Sequence, residues 1–251
     1  MSRKPIGHTI LRLEETHSTN TLVMETEEYL ENHGLVVLAR HQTAGRGRMG
    51  RSFASIPGAQ LLFTVTIHPR AAPQDLAASS LVAGLAVAEG IETALGAEPR
   101  LKWPNDVTLN GRKVCGILTE LKQGPRGAVR LVVGIGINCQ GTAEDFPPEL
   151  HGVLTTLAAE TGRDFDNETV LQAVLGHLEA DYRRLDAGER PALLDGWRKR
   201  AHLAGRRVRF SVGKESRDGT AEDISGEGHL LIRTPDGALH TQASGSVEWL
   251  D

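Results

Sequence analysis

The chain has 251 residues, 39% hydrophobic and 24% charged, a composition with enough apolar material for a sizeable core. Its formal net charge of −4 excludes a global electrostatic pull toward nucleic acid or an anionic membrane surface. The two cysteines, Cys115 and Cys139, stand in no C-x-x-C, and the histidines form no H-E-x-x-H, which excludes a disulfide framework and the common zinc motifs. Reduced, buried thiols in a cytoplasmic protein are the expectation.

The first residues, "MSRKPIGHTI", are basic but lead into no apolar run with a small-residue cleavage site. "TILRLEE" alternates and reads as a strand. In "STNTLVMETEEYLENHG", Ser18, Thr19 or Asn20 caps a helix, Leu22, Val23, Thr26 and Leu30 recur at helical spacing, and Gly34 ends it. "LVVLAR" and "QLLFTVTI" read as strands, and "HPRAAP" as a turn. "DLAASSLVAGLAVAEGIETALG" reads as a helix whose Ala, Gly and Ser predict close packing on a sheet. Its longest uncharged stretch, Leu76 to Ala88, is shorter than the roughly 20 residues a bilayer span takes.

Pro104 interrupts the next segment. Asn110-Gly111 is the dipeptide of a two-residue type I′ turn, with "DVTL" and "KVCGILTEL" as its strands. "AVRLVVGIGINC" is a further strand. Helices follow over about Glu168–Leu185, with Val170, Val174, Leu178 and Tyr182 on one stripe, and about Pro191–His202. After Gly205, "RRVRFSV", "GTAEDI", "HLLIRT", "ALHTQA" and "SVEWL" give the pattern of a small all-β barrel. The fold class is therefore α+β: a mixed sheet packed with helices over residues 1–204, then a β-barrel over 205–251.

The charge is unevenly placed. No acid occurs between Asn32 and Gln74, where Arg40, Arg46, Arg48, Arg51 and Arg70 fall, so a small anionic ligand is expected there. Within this window "GRGRMGRS", Gly45 to Ser52, fits G-x-G-x-x-G and, with Arg51 in place of lysine, the phosphate loop. Both motifs need a helix directly after the loop, to aim backbone N–H groups at phosphate. "FASIPGAQLLFTV" opposes one through Pro57-Gly58 and a β-branched, aromatic run. What remains is a strand–loop–strand flap, in which glycine permits close backbone approach and arginine offers planar forks for carboxylate or phosphate.

Three further stretches carry chemistry. "KWPND", Lys102 to Asp106, puts a cation, an indole, a turn and a carboxylate in five residues. "GRKVCGI", Gly111 to Ile117, sets Lys113 just after the hairpin turn. "GIGIN", Gly134 to Asn138, places two glycines one strand period apart, leaving a bare sheet face on which a flat ligand could lie. Each has a structural alternative: Trp103 as core, Lys113 as a solvated hairpin lysine, the glycine pair as close strand packing.

In this order and spacing the stretches resemble biotin–protein ligase. The resemblance runs through "ETHSTN" (Glu15–Asn20), "HQTAGRGRMGR" (His41–Arg51), "KWPNDV" (Lys102–Val107), "GRKVCGIL" (Gly111–Leu118), "GIGIN" and "FPPEL" (Phe146–Leu150). The last β segment is similar to the family's SH3-like cap, and the larger part to its class II synthetase-like catalytic domain. Met49 departs from an arginine common in the family loop, and Ser246 from an acidic residue that often follows the glycine at Gly245.

The resemblance implies that ATP activates biotin as biotinyl-5′-AMP, with Mg²⁺, and that the biotinyl group passes to a lysine of a biotin carboxyl carrier protein. It implies catalytic roles for Lys113, Arg48, Arg51 and Asp106. It implies biotin contacts from Ser18, Thr19, Asn20, Gln42, Gly45, Arg46, Gly47, Arg48, Lys113, Gly116, Gly134 and Gly136. It implies nucleotide contacts from Arg48, Arg51, Lys102, Trp103, Asn105, Lys113 and Asn138. Metal ligands are not legible. Some family members carry an N-terminal winged helix-turn-helix and repress genes; Ser18 follows Met1 by only seventeen residues, so no such module and no DNA-binding role are expected. No nucleic-acid or membrane partner is expected, and a homodimer is left open. A lipoate–protein ligase shares the adenylation logic, and a non-catalytic biotin sensor is a rival from another class. The GRGRMGR loop with KWPND favours biotin, and intact Lys113 and Arg48 favour catalysis. RNA binding through the loop is disfavoured by the net charge and the lack of interleaved aromatics.

Overall fold

A computed structural model describes residues 3–124, 127–212, 215–245 and 247–250. Strands β1 (Thr9–Thr16), β2 (Leu35–Gln42), β3 (Gln60–Ile67), β4 (Arg100–Lys102), β5 (Asp106–Leu109), β6 (Arg112–Gln123) and β7 (Val129–Asn138) form one mixed sheet, ordered β1-β2-β3-β7-β6-β5-β4. Only the β1–β2 pair is parallel among them. A parallel pair needs a crossover, and α1 (Thr19–Glu25) with α2 (Glu27–Leu30) supplies it. The single helix expected there is thus two short ones: Thr26 leaves the helical region at φ −104°, ψ 106° and restarts the chain as α2. Gly34, at φ +82°, ends the crossover where a Cβ would lie 2.5 Å from the Pro5 carbonyl oxygen.

Strand alternation gives the sheet two faces. Val133, Ile135 and Ile137 of β7 join the main core with α3 (Ser79–Leu95), α5 (Asn167–Asp186) and α6 (Arg190–Ala201). Val132 packs on the other face with Val23, Leu30, Leu35 and Val37, under the crossover helices. The stripe Val170, Val174, Leu178 and Tyr182 is fully buried, as its spacing predicts. The small residues of α3 serve two surfaces rather than the sheet alone. Gly84 faces Leu101 and Ile117 of the sheet at ordinary contact distance, whereas a Cβ on Gly90 would lie 2.7 Å from Val174 Cα of α5. The helical run Pro73–Leu95 is also longer than its uncharged stretch suggested. At 23 residues it has the length and hydropathy to cross a bilayer, and 72% of its most apolar window is buried inside this fold instead.

Asn110 and Gly111 adopt φ 49° and 81°, the left-handed pair of a type I′ turn, and join β5 to β6 as their dipeptide predicts. Beyond α6, β8 (Arg207–Val212), β9 (Glu215–Ile224), β10 (Leu230–Arg233), β11 (Leu239–Gln242) and β12 (Val247–Trp249) form a five-stranded antiparallel sheet, ordered β11-β10-β9-β8-β12. Its inward residues, among them Val208, Phe210, Ile224 and Ile232, belong to the same buried cluster as the helices of the large sheet.

Candidate active site

A cavity of about 370 Å³ opens on the sheet face opposite α3 and α5, between the glycine–arginine flap, β5, β6, β7, the segment from Phe146 to Leu154, and β12. Every site residue expected from the sequence borders it except Gly45. Gly45 instead shapes the flap: its carbonyl accepts the Phe53 N–H at 2.9 Å, and a Cβ on it would lie 2.6 Å from the Phe53 carbonyl oxygen. Further out, Arg46 bridges Ser52 and the Gly47 N–H donates to Arg51 O at 2.7 Å. The flap is therefore a small hairpin, not a loop entering a helix, and it turns at Met49 (φ 56°) and Gly50 (φ 74°). Arg46 ties it to β6 through an ion pair with Glu120 at 2.8 Å.

One end of the cavity is uncharged and polar. Ser18 is the N-cap of α1. Gln42 Oε1 accepts from the Thr19 backbone N–H at 2.7 Å and from Thr19 Oγ1 at 3.1 Å. The Thr64 hydroxyl lies 2.8 Å from Thr19 Oγ1 and 2.6 Å from Asn20 Oδ1. Asn20 Nδ2 donates to Leu118 O at 3.1 Å and to Glu120 Oε2 at 3.0 Å. The glycine-lined face is not the bare floor expected. A Cβ on Gly134 would lie 2.0 Å from Asn20 Oδ1, and one on Gly136 2.4 Å from Phe53 Cζ. Each glycine makes room for a side chain from another element, so the wall of this end is Asn20 and the flap's Phe53 ring.

The other end is charged. β5 and β6 lose register between Val107 and Thr108: Val107 pairs with Cys115, but Thr108 pairs with Lys113. This β-bulge inserts one residue and reverses the alternation. Val114 and Cys115 are both buried, while Lys113 comes onto the same side as Gly116, where a Cβ would lie 3.0 Å from Nζ. Lys113 Nζ sits 2.6 Å from Asp106 Oδ1. That oxygen is buried yet accepts no hydrogen bond of proper angle, so the contact is Coulombic and unaligned. Among the described residues, Arg48, Arg51, Lys102 and Lys113 line this end with Asp106 as the carboxylate in the lining, while Arg46, toward the Asn20 end, is paired with Glu120. Burial lowers the Arg48 pKa, with Asp106 opposing and Arg51 reinforcing the shift. Burial likewise lowers Lys102, with Asp106 opposing and Arg206 and Lys113 reinforcing. Arg48 and Lys102 are thus partly desolvated cations close to further positive charge, a setting that favours an incoming anion.

Three expected nucleotide contacts are bound up in the framework. Trp103 is 3% exposed, and its indole N–H donates to Gly228 O between β9 and β10 at 3.0 Å. Asn138 donates to Thr155 O at 3.1 Å and accepts from Gln60 Nε2 at 2.9 Å. Asn105 Nδ2 donates to Ile117 O at 2.7 Å. All three border the cavity while holding its walls together. Cys115 and Cys139 are buried; burial pushes the Cys139 thiol up to about 12 and Cys115 higher still, so both are inert. Ser246 lies outside the described residues, though its neighbours Gly245 and Val247 border the cavity. Sequence reasoning missed Phe53, Glu120, Gln60 and Thr64. The last two had a signal: polar residues at even spacing in the apolar strand "QLLFTVTI" point to a single non-core face.

Residues 13–138 match the biotin/lipoate A/B protein ligase family, and residues 204–249 match the biotin protein ligase C-terminal domain. The chain is 34% identical over 233 residues to the bifunctional ligase/repressor BirA of Bacillus spizizenii, covering 92% of this chain and 71% of that protein. It is 33% identical over 228 residues to the biotin–[acetyl-CoA-carboxylase] ligase of Paracoccus denitrificans, covering 90% and 94%. Its structure is similar to the biotin protein ligase from Aquifex aeolicus in complex with biotin and ATP, at TM-score 0.83 and 30% identity, over 96% of this chain and 98% of that one. The chain belongs to the biotin/lipoate A/B protein ligase family. With the C-terminal sheet and these relatives, its place within that family is that of a biotin ligase.

Proposed function

We propose that this chain condenses biotin with ATP to give biotinyl-5′-AMP and pyrophosphate, then transfers the biotinyl group to a lysine of a biotin carboxyl carrier protein with release of AMP. The observation that carries this reading is one cavity with a neutral polar end, built from Ser18, Thr19, Asn20 and Gln42, and a cationic end with one carboxylate. The neutral end suits a ureido ring, which both donates and accepts hydrogen bonds. The cationic end suits the first step, in which a carboxylate attacks an α-phosphate and two anions must meet. Arg48, Arg51 and Lys113 offset that repulsion and the charge developing on the α-phosphate, and Lys102 extends the field toward the leaving pyrophosphate.

The mixed anhydride hydrolyses in open water, so the Arg46–Glu120 tie and the Phe53 ring serve to keep the flap over it. In the second step the acceptor amine must lose a proton as it attacks the carbonyl; the unaligned Asp106 Oδ1 is the acceptor at hand. Among the described residues no group of three His, Cys, Asp or Glu could hold a metal. Mg²⁺ entering with ATP would find Asp106 as the carboxylate in the described lining and would offset charge on the phosphates. The net charge of −4 supports catalysis rather than DNA binding.

The test is mass spectrometry after incubation with MgATP and either biotin or lipoate, followed by addition of a carrier domain. Biotinyl-AMP and a biotinylated carrier are expected. Lys113→Ala should cut adenylate formation by about 10²–10³-fold, the usual cost of one fixed charge donor, with the melting temperature unchanged. Lipoyl-AMP without biotinyl-AMP, or near-normal turnover in that variant, would overturn the reading.

A further inference from the structure

Lys113 is pinned through its backbone. Its N–H donates to Val153 O and its carbonyl accepts from the Thr155 N–H, both at 2.9 Å. The side chains around this bridge converge on Glu160 of α4 (Leu157–Thr161). Thr155 Oγ1 donates to Glu160 Oε1 at 2.7 Å, and Asn110 Nδ2 donates to Oε2 at 2.6 Å. Arg112 Nη2 pairs with Oε1 at 2.5 Å. The Glu160 side chain is 5% exposed. A carboxylate so shielded is costly unless its lone pairs are met, and here three donors from two segments meet them. Burial alone would raise its pKa; Thr155, Asn110 and Arg112 together hold it below the usual carboxylate range. Glu160 does not border the catalytic cavity. It faces a separate hollow of about 290 Å³ with Asn110 and Arg163.

We propose that Glu160 is a positioning residue of the ligase reaction, fastening the β5–β6 turn to the Val153–Thr155 segment so that the bulged strand holds Lys113 on the reacting atoms. The inference rests on the role given to Lys113 above. Asn110 lies in the turn and Arg112 immediately precedes Lys113, so one arm of the Glu160 hub ends one residue from it. The other arm is Thr155, whose N–H holds the Lys113 carbonyl and whose carbonyl holds Asn138. Fixing both sides of one residue is what keeps a catalytic ammonium within about 0.5 Å of its working position.

The experiment compares Glu160→Gln, Thr155→Val and Lys113→Ala for adenylate formation, with kcat taken per folded molecule and KM measured for biotin. Glu160→Gln turns an amide toward the three donors. It should lower kcat about tenfold, a fraction of the hundredfold that a 1 Å misplacement can cost. KM for biotin should stay within about twofold, because Ser18, Thr19, Asn20 and Gln42 stand on other elements. Thr155→Val keeps the side-chain shape and removes one donor, and about a threefold loss in kcat is expected. A lowered melting temperature with unchanged kcat in Glu160→Gln would make the hub merely structural and overturn the inference. If that variant does not fold, unchanged kcat in Thr155→Val overturns it. Normal kcat in both beside an inactive Lys113→Ala sinks this inference alone, whereas an active Lys113→Ala sinks the reading of Lys113 as well.

Discussion

Gly134→Ala tests whether Asn20 forms a wall of the polar end. The new Cβ would sit 2.0 Å from Asn20 Oδ1, 2.7 Å from its Cγ and 2.9 Å from its Nδ2. The carboxamide cannot turn aside in place, because both of its ends are engaged: Oδ1 with Thr64, Nδ2 with Leu118 O and Glu120. It must retreat by about 1 Å, which carries all three hydrogen bonds beyond working length. At about 1 kcal/mol for each bond, with the Thr64 hydroxyl left buried, the loss is about 3 kcal/mol. For a chain of this size that lowers the melting temperature by roughly 6–12 °C. Thermal melting and biotin titration by calorimetry are the assays, and biotin affinity should fall with stability because the moved side chain is part of the pocket. A variant with unchanged melting temperature and unchanged biotin affinity would refute the assignment of Asn20 to a fixed wall.

Gly136→Ala should behave differently, since the atom it meets at 2.4 Å is the far tip of the Phe53 side chain rather than a group hydrogen-bonded at both ends. Its melting temperature should stay within about 2 °C of the parent. AMP release should outrun carrier labelling as the seal over the adenylate loosens; a drop in stability matching Gly134→Ala with coupling intact would contradict this. Trp103→Phe removes the indole N–H from Gly228 O and leaves a gap, for a loss of about 2–4 kcal/mol in urea unfolding; under about 0.5 kcal/mol would count against the bond as a clamp between the sheets. Burial, then Arg3 and His68, push His33 down from 6.5 to about 4. The folded chain keeps it neutral, so its stabilising contribution is full above pH 6.5 and lost as pH falls through about 4. Replacing it, as His33→Asn, should flatten the decline in melting temperature between those two pH values, and parallel curves for both proteins would reject the idea.

Much of the scaffold was legible because it depends on local rules. Asn110-Gly111 specifies its turn by φ alone, and the Val170–Tyr182 stripe specifies which side of α5 is buried. The α1–α2 break was not legible: Thr26 fits the helical period, and nothing local shows that the chain must bend there. The cavity's cations were readable as a cluster of arginines and lysines. The route by which Lys113 reaches them was not, because plain alternation would point it into the core, and the bulge that reverses it is a property of the β5–β6 pairing. Gly134 and Gly136 were read as a floor because a glycine reports only that something comes close. Whether the visitor is a ligand, Asn20 or Phe53 depends on elements more than 80 residues away in sequence. Trp103 was open between core and ligand contact from its own motif; its bond to Gly228 O, 125 residues on, is one that no local pattern connects to it.

The buried cluster that runs without interruption from α3 and the large sheet into Val208, Phe210 and Ile232 has a consequence for how this enzyme can be cut and recombined. The two family matches, 13–138 and 204–249, look like separable modules on a linear map. In three dimensions the second shares one interior with the first, so neither piece inherits a finished surface when severed. Gly228 meets both Trp103, through its carbonyl, and Leu81 of α3, which a Cβ there would approach to 2.8 Å, so a chimera that exchanges only the C-terminal strands must keep that fit, and unfolding in denaturant should proceed as one transition rather than two.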